Sequence, residues 1–313
     1  MKWTASLILT FLLLACHHEK KIHLEFNPPL GATYHMIQIY KEVITEPLYM
    51  GERKLETTAN TGYRFEVIEK QEFTTTIEAR FESIKLKVVT PLGTFQFNSS
   101  KPDRPSASPF TFFYKKLLGQ KFRLIIKRNG KVLTVRGLDD WMSGMLDSLG
   151  LKDKKIRTEI VNTFNQVYAE TMLRQSFDRI FRIFPPQPLK VKASWKTEEK
   201  EETAYFPLFK KTKWTLTEYS PSKALIEGYT TISSDDSSTI SKTFKVKRKY
   251  HAWGIETANF EIDPATGWIL SAKRLLFVKA KTTVQAVKKK APRFEFPLKI
   301  QRQIRFLPLN AVQ

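Results

Sequence analysis

The sequence predicts an α+β fold, a long antiparallel β-sheet curved into a half-barrel and wrapped around central helices. Two observations predict it. Runs of alternating apolar and polar residues fill 31–136 and 195–306, the period of half-buried strands. Between them, residues 138–184 repeat their apolar side chains at the spacing of a helix face. The chain is therefore divided into a leader (1–15), a flexible tether (16–30) and a single β-rich domain (31–309).

From Thr33 the pattern is that of strands. Tyr63, Phe65 and Val67 alternate with Arg64 and Glu66. In the next run Ile77, Ala79 and Phe81 share one parity, whereas Ile84, Leu86 and Val88 share the other. One strand cannot point both sets at the same core, which predicts a β-bulge near Glu82–Ser83. Three prolines make 101–109 a loop. Asn129-Gly130 between Lys121–Ile126 and Lys131–Val135 is a hairpin signal, since both residues tolerate positive φ.

Leu138, Trp141, Met142, Met145, Leu146 and Leu149 form one helical stripe. Asp153 can cap a second helix, whose stripe runs Ile156, Ile160, Phe164, Val167, Tyr168, Met172 and on through Phe177 to Phe184. Pro185-Pro186 ends it. These stripes are read as core rather than as a cofactor box.

Strands resume at Trp214–Tyr219, Lys223–Ser233 and Ile240–Tyr250, and Asp263–Gly267 turns a further hairpin. Glu198–Glu202 reads as a solvated acidic loop. In the last strand Phe294, Phe296, Leu298, Ile300, Ile304 and Phe306 face one way. Arg302 falls on that same apolar parity and must reach the rim, find an ion partner or meet a ligand head group. Both strand sets contain a Gly-turned hairpin, a hint of duplication without residue identity to support it.

Charge is unevenly spread. The net charge is +21, and Lys242–Arg305 alone holds 16 Lys+Arg against 4 Asp+Glu. Alternation puts Lys245, Lys247, Lys279, Lys281 and Lys299 on a basic face opposite an apolar one. Such a face is either solvated surface that guards strand edges or a dock for anionic material.

Nucleic acid, the usual partner of so basic a chain, is set aside because of the N-terminus. Lys2 precedes an apolar run from Leu7 to Ala15, too short to span a bilayer and shaped like a secretory signal. It closes on Leu13-Leu14-Ala15-Cys16, which resembles the lipobox of bacterial lipoproteins. That resemblance implies cleavage before Cys16, acylation of this sole cysteine and attachment to a membrane. His17 in place of Asp favours the outer membrane, and the absence of an acidic cluster after it favours the periplasmic face.

No enzyme motif is present. His35 and His251 are the only histidines beyond the tether, and there is no Gly-x-Ser-x-Gly, P-loop or G-x-G-x-x-G. Ser220-x-x-Lys223 lacks its companion motifs and contains Pro221, so it reads as a turn. His18-Glu19 and His23 are one residue too far apart for a His-Glu-x-x-His zinc site. No catalytic residue, metal or cofactor is expected.

Several stretches resemble an uncharacterised bacterial envelope lipoprotein family, a domain of unknown function. They are Pro91-Leu92-Gly93 with Ser100–Asp103, Leu118–Phe122 with Asn129–Val132, Phe184–Val191 with Ser194-Trp195, and Ile262–Gly267. The resemblance implies a half-barrel similar to that of periplasmic lipoprotein carriers and brings no known activity. Where the family commonly has Gly-Asp before Ser-Trp, this chain has Lys192-Ala193. The expected role is binding a lipid or other apolar ligand inside the curved sheet, with Arg302 touching its head group. The alternative is an envelope scaffold docking through its basic face on an anionic surface or a partner protein.

Overall fold

The computed structural model describes residues 21–48, 51–101, 109–148, 153–167, 170–201, 206–234, 238–241, 246–286 and 293–312. The expected leader, Cys16 and Lys245 lie outside them, as does most of the expected 101–109 loop.

All strand pairing is antiparallel and forms one 13-stranded sheet. Its first half comprises β1 (Thr33–Leu48), β2 (Gly51–Lys70), β3 (Thr74–Thr90), β4 (Gly93–Asn98), β5 (Lys121–Lys127) and β6 (Val132–Arg136). The second comprises β7 (Ser194–Glu201), β8 (Leu208–Tyr219), β9 (Ala224–Ser234), β10 (Ser238–Ser241), β11 (Val246–Ile262), β12 (Ile269–Ala286) and β13 (Arg293–Pro308). The order is β6-β5-β3-β2-β1-β13-β12-β11-β9-β8-β7, with β4 beside β3 and β10 beside β11. The first and last strands thus meet in the middle, from Met36 opposite Pro308 to Thr45 opposite Lys299.

This overturns the α+β expectation. The protein is mostly β, its sheet is open, and its four described helices are only 9 to 14 residues long. They are α1 (Pro109–Leu117), α2 (Asp139–Ser148), α3 (Lys154–Val167) and α4 (Glu170–Phe181), and they are not a centre around which the sheet is wound. The strands are longer than the sequence suggested. β2 runs for 20 residues, yet its first half mixes charged and threonine side chains on both faces and shows little alternation.

Local expectations fare better. Tyr63 pairs with Phe81 and Gly62 with Ser83, leaving Glu82 unopposed as the bulge that switches β3's parity. Asp153 Oδ1 accepts the Lys155 N–H at 2.7 Å and caps α3. The Asn129-Gly130 hairpin forms with Gly130 at φ 78°. Ile240–Tyr250 is not one strand: Ile240 lies on β10 and Tyr250 on β11, which pair with each other.

The core beneath α4 is aromatic and filled. Phe26, Phe65, Phe177, Phe181 and Phe306 are all buried, with Phe26–Phe181 and Phe65–Phe177 ring centres 5.1 and 5.9 Å apart. The expected tether is not free over its second half. Ile22, Leu24 and Phe26 are buried in this core, where Ile22 bridges to Leu189 and the Phe26 N–H donates to the Arg128 carbonyl at 2.7 Å. The Asp263–Gly267 turn holds that segment. Asp263 Oδ2 accepts the Thr266 hydroxyl at 2.6 Å, and the Thr266 carbonyl accepts the Asn27 N–H at 2.8 Å.

A second apolar cluster lies apart from the helices. Ile44, Phe206, Leu208, Ile232, Tyr250 and Ile300 are among its buried members, none of which belongs to a helix.

Candidate functional site

Charged side chains occupy apolar-parity positions on the inner face of the sheet. Lys210 follows Leu208 and precedes Trp214 on β8, Glu256 lies between Ala252 and Ala258 on β11, and Arg274 lies between Ala272 and Leu276 on β12. Period-2 geometry therefore points all three inward, and each is at most 4% exposed. Arg302 on β13 and Glu42 on β1 face each other in register and join them.

The groups form one network. Glu201, at the end of β7, accepts Arg179 Nη2 from α4 at 2.6 Å and Arg302 Nη1 at 2.9 Å through Oε1. Lys210 Nζ bridges Glu201 Oε2 at 2.5 Å and Glu256 Oε2 at 2.7 Å. Arg302 Nε donates to Glu42 Oε2 at 2.7 Å. Arg274 donates to Glu256 and to the Arg179 carbonyl, and its guanidinium lies 5.9 Å above the Trp214 ring. Four strands separate β7 from β13 in the sheet order, so the Glu201–Arg302 bond spans a strong bend.

Burial alone would push the Glu256 carboxyl up, but Arg274 and Lys210 overcome it and bring it down to about 2. Glu201 likewise resists its burial, because Arg179, Lys210 and Arg302 hold it well below the usual carboxylate range. Burial raises Tyr40, whose ring lies 5.9 Å from the Arg302 guanidinium. Buried ions at this density are expensive unless mutually paired, and here each has a partner. The network acts as a strut joining β1, β7, β8, β11, β12, β13 and α4.

Arg302 is therefore committed to Glu42 and Glu201, which corrects its expected role at a ligand head group. The acidic run is no loop either: Glu198–Glu201 belongs to edge strand β7, and its last carboxylate is the hub. Lys210, Glu256 and Arg274 went unnoticed in the sequence, although the parity signal that marks Arg302 marks them too; Glu201 was seen only as part of the acidic run, because its row on β7 is polar. Ser220 and Lys223 close the β8–β9 turn, with the Lys223 N–H donating to Ser220 Oγ at 3.1 Å.

Beyond the strut the inner face is apolar and runs out to solvent. Leu298 and Ile300 are 5% and 3% exposed, but Phe294 and Phe296, on the same parity, are 55% and 41% exposed. The outer face carries Lys279, Lys281 and Lys299, all exposed. Lys279 and Lys299 are directly opposed, and Lys281 Nζ pairs with Glu295 at 2.5 Å. Lys247 lies on β11 opposite Gln285.

A family profile described as a family of unknown function, DUF6263, matches residues 72–269. The chain belongs to DUF6263. The matched DUF6263 region runs from just before β3 to the start of β12 and contains Glu201, Lys210 and Glu256. Arg274, Arg302 and Glu42 lie outside it, so the strut joins this region to the central strands. No curated protein matches the chain. Among solved structures, one titled for lipid–protein interactions in lipovitellin overlaps with a TM-score of 0.49 at 11% identity, covering 90% of this chain. The DUF6263 chain spans about a quarter (25%) of that lipovitellin chain's length. An outer membrane channel from Pseudomonas putida F1 overlaps with a TM-score of 0.23 at 8% identity, covering 88% of this chain and 96% of the channel. OpdQ from Pseudomonas aeruginosa gives a TM-score of 0.19 at 8% identity, covering 90% and 100% of the two chains.

Proposed function

We propose that this DUF6263 protein is a non-catalytic binding protein of the bacterial envelope, anchored at the periplasmic face of the outer membrane through acylated Cys16. Its ligand is an apolar chain, such as a lipid acyl group, received at the open end of the sheet's inner face. One observation carries this reading: Phe294 and Phe296 continue the inner apolar row of β13 into solvent, past the helix-free cluster around Ile300. Exposed aromatics rarely lie in such a continuous row without something to cover them. The ligand is assigned to this end because aromatic side chains fill the interior beneath α4. The secretory leader and the Leu-Leu-Ala-Cys sequence support the address.

Native mass spectrometry of the full chain carrying Cys16→Ser, purified from cells, tests the reading. Co-purified lipid, or saturable uptake of a fluorescent fatty acid that Phe296→Glu lowers at least tenfold, is the expected result. Phe296 is exposed, so this variant folds. A chain that carries no lipid and takes up no fatty acid overturns the proposal.

A further inference from the structure

The outer face of the central strands was expected to be cationic, yet its middle is apolar. Trp253 and Ile255 on β11 and Leu275 on β12 point away from the core and are 49%, 44% and 42% exposed. Ile255 and Leu275, with Phe277 and Val43, line a shallow groove of about 400 Å³, and Trp253, two residues before Ile255 on β11, adjoins it. Soluble surfaces scatter single apolar residues, whereas a contiguous patch marks a contact surface.

The lysines around the patch identify its occupant. One cross-strand row reads Thr45, Lys299, Lys279, Trp253 and Ser233, and places two ammonium groups side by side. Like charges in direct opposition destabilise a sheet. Among the described residues, neither Lys279 nor Lys299 has a carboxylate partner. Lys279 Nζ instead sits 5.7 Å from the centre of the Phe277 ring. On one side the next two rows, through Phe277 and Leu275, hold no Asp or Glu at outward positions from β1 to β9, and the first carboxylate beyond them on β2, Glu56, pairs with Lys54 at 2.5 Å. On the other side Lys281 takes up Glu295. Unneutralised cations beside a tryptophan and aliphatic side chains match the head-group layer of an anionic bilayer. There phosphates pair with lysine, and an indole has one wet and one apolar side. A protein partner would be expected to supply carboxylates matched to fixed lysines, and would suit a less mixed rim.

We infer that this face docks flat on an anionic lipid surface, with Lys279 and Lys299 meeting lipid phosphates and Trp253 entering the head-group layer. This site is on the opposite side of the sheet from the apolar-ligand site and does not depend on it.

Co-sedimentation of the full chain carrying Cys16→Ser tests the inference, with vesicles of phosphatidylglycerol and phosphatidylcholine against phosphatidylcholine alone. Residues 1–20 are common to every arm, so the readout is the anionic preference. That preference should fall roughly fivefold for each of Lys279→Gln and Lys299→Gln, about 25-fold together, and fade at high salt. Trp253→Phe should lower the fluorescence quenching given by brominated phosphatidylglycerol to what Trp3, common to every arm, contributes. Both lysines are exposed, so an unchanged melting temperature confirms that the variants fold. Equal binding to both vesicles, or a preference that survives the double substitution, overturns the inference. No vesicle binding at low salt also overturns it, leaving the face to an acidic protein.

Discussion

Lys192 has a backbone φ of 67°, the left-handed region that disfavours any side chain with a Cβ. Its N–H donates to the Leu216 carbonyl at 2.7 Å, so the turn before β7 is fixed by pairing with β8. This is where the family resemblance leads one to expect glycine. The lysine side chain is exposed and contributes little there. Lys192→Gly should therefore stabilise the fold by about 0.5–1 kcal/mol, the left-handed strain less the entropy that glycine loses on folding. A urea midpoint at or below that of the wild type would count against this account.

At the scale of elements, the β5–β6 hairpin is locked under the end of α4. Asp178 of α4 accepts the Val132 N–H at 2.8 Å, taking up a donor on strand β6, which ends the sheet. Gly130 at the hairpin tip lies so close to the Phe181 carbonyl that an added Cβ would overlap it. With positive φ as well, Gly130→Ala should cost roughly 2–4 kcal/mol, read as a lowered denaturation midpoint. The hairpin was legible in the sequence because Asn-Gly is a local signal, and so was the Glu82 bulge, because parity changes within one strand. The fate of residues 22–26 was not legible. Ile22, Leu24 and Phe26 alternate as a strand does, but polar neighbours and following prolines look like a linker unless their distant partners are known. The outer apolar patch was hidden for a related reason. Trp253 and Ile255 lie on one strand and Leu275 and Phe277 on another, and only the register of β11 with β12 brings them together.

For the molecule as a whole, the buried strut links stability to acid. Glu201 and Glu256 hold their protons less tightly when folded than the ordinary glutamate value of about 4.3 in an unfolded chain. The unfolded state therefore takes up more protons as pH falls. The stabilisation is complete above about pH 5 and should be lost progressively towards pH 2. Unfolding free energies from urea titrations at pH 7, 5, 4 and 3 should change little over the first step and fall steeply over the last two, by a few kcal/mol in total. A flat profile would mean that the carboxylates are not held by their cations. Charges at apolar-parity positions were visible one at a time in the sequence. Their convergence was not, since it depends on a bend that brings β7 to β13.

The meeting of β1 with β13 also fixes when the molecule can be completed. Glu42 and Arg302, paired across that seam, are 260 residues apart in the chain. The centre of the sheet cannot close until the last strand has been made, so an emerging chain must keep β1's inner edge unpaired throughout. Such distant pairing folds slowly and leaves a sticky edge exposed meanwhile. A chain of this design would gain from a holding chaperone until its last strand is made, and one truncated before β13 would be open to aggregation through that edge.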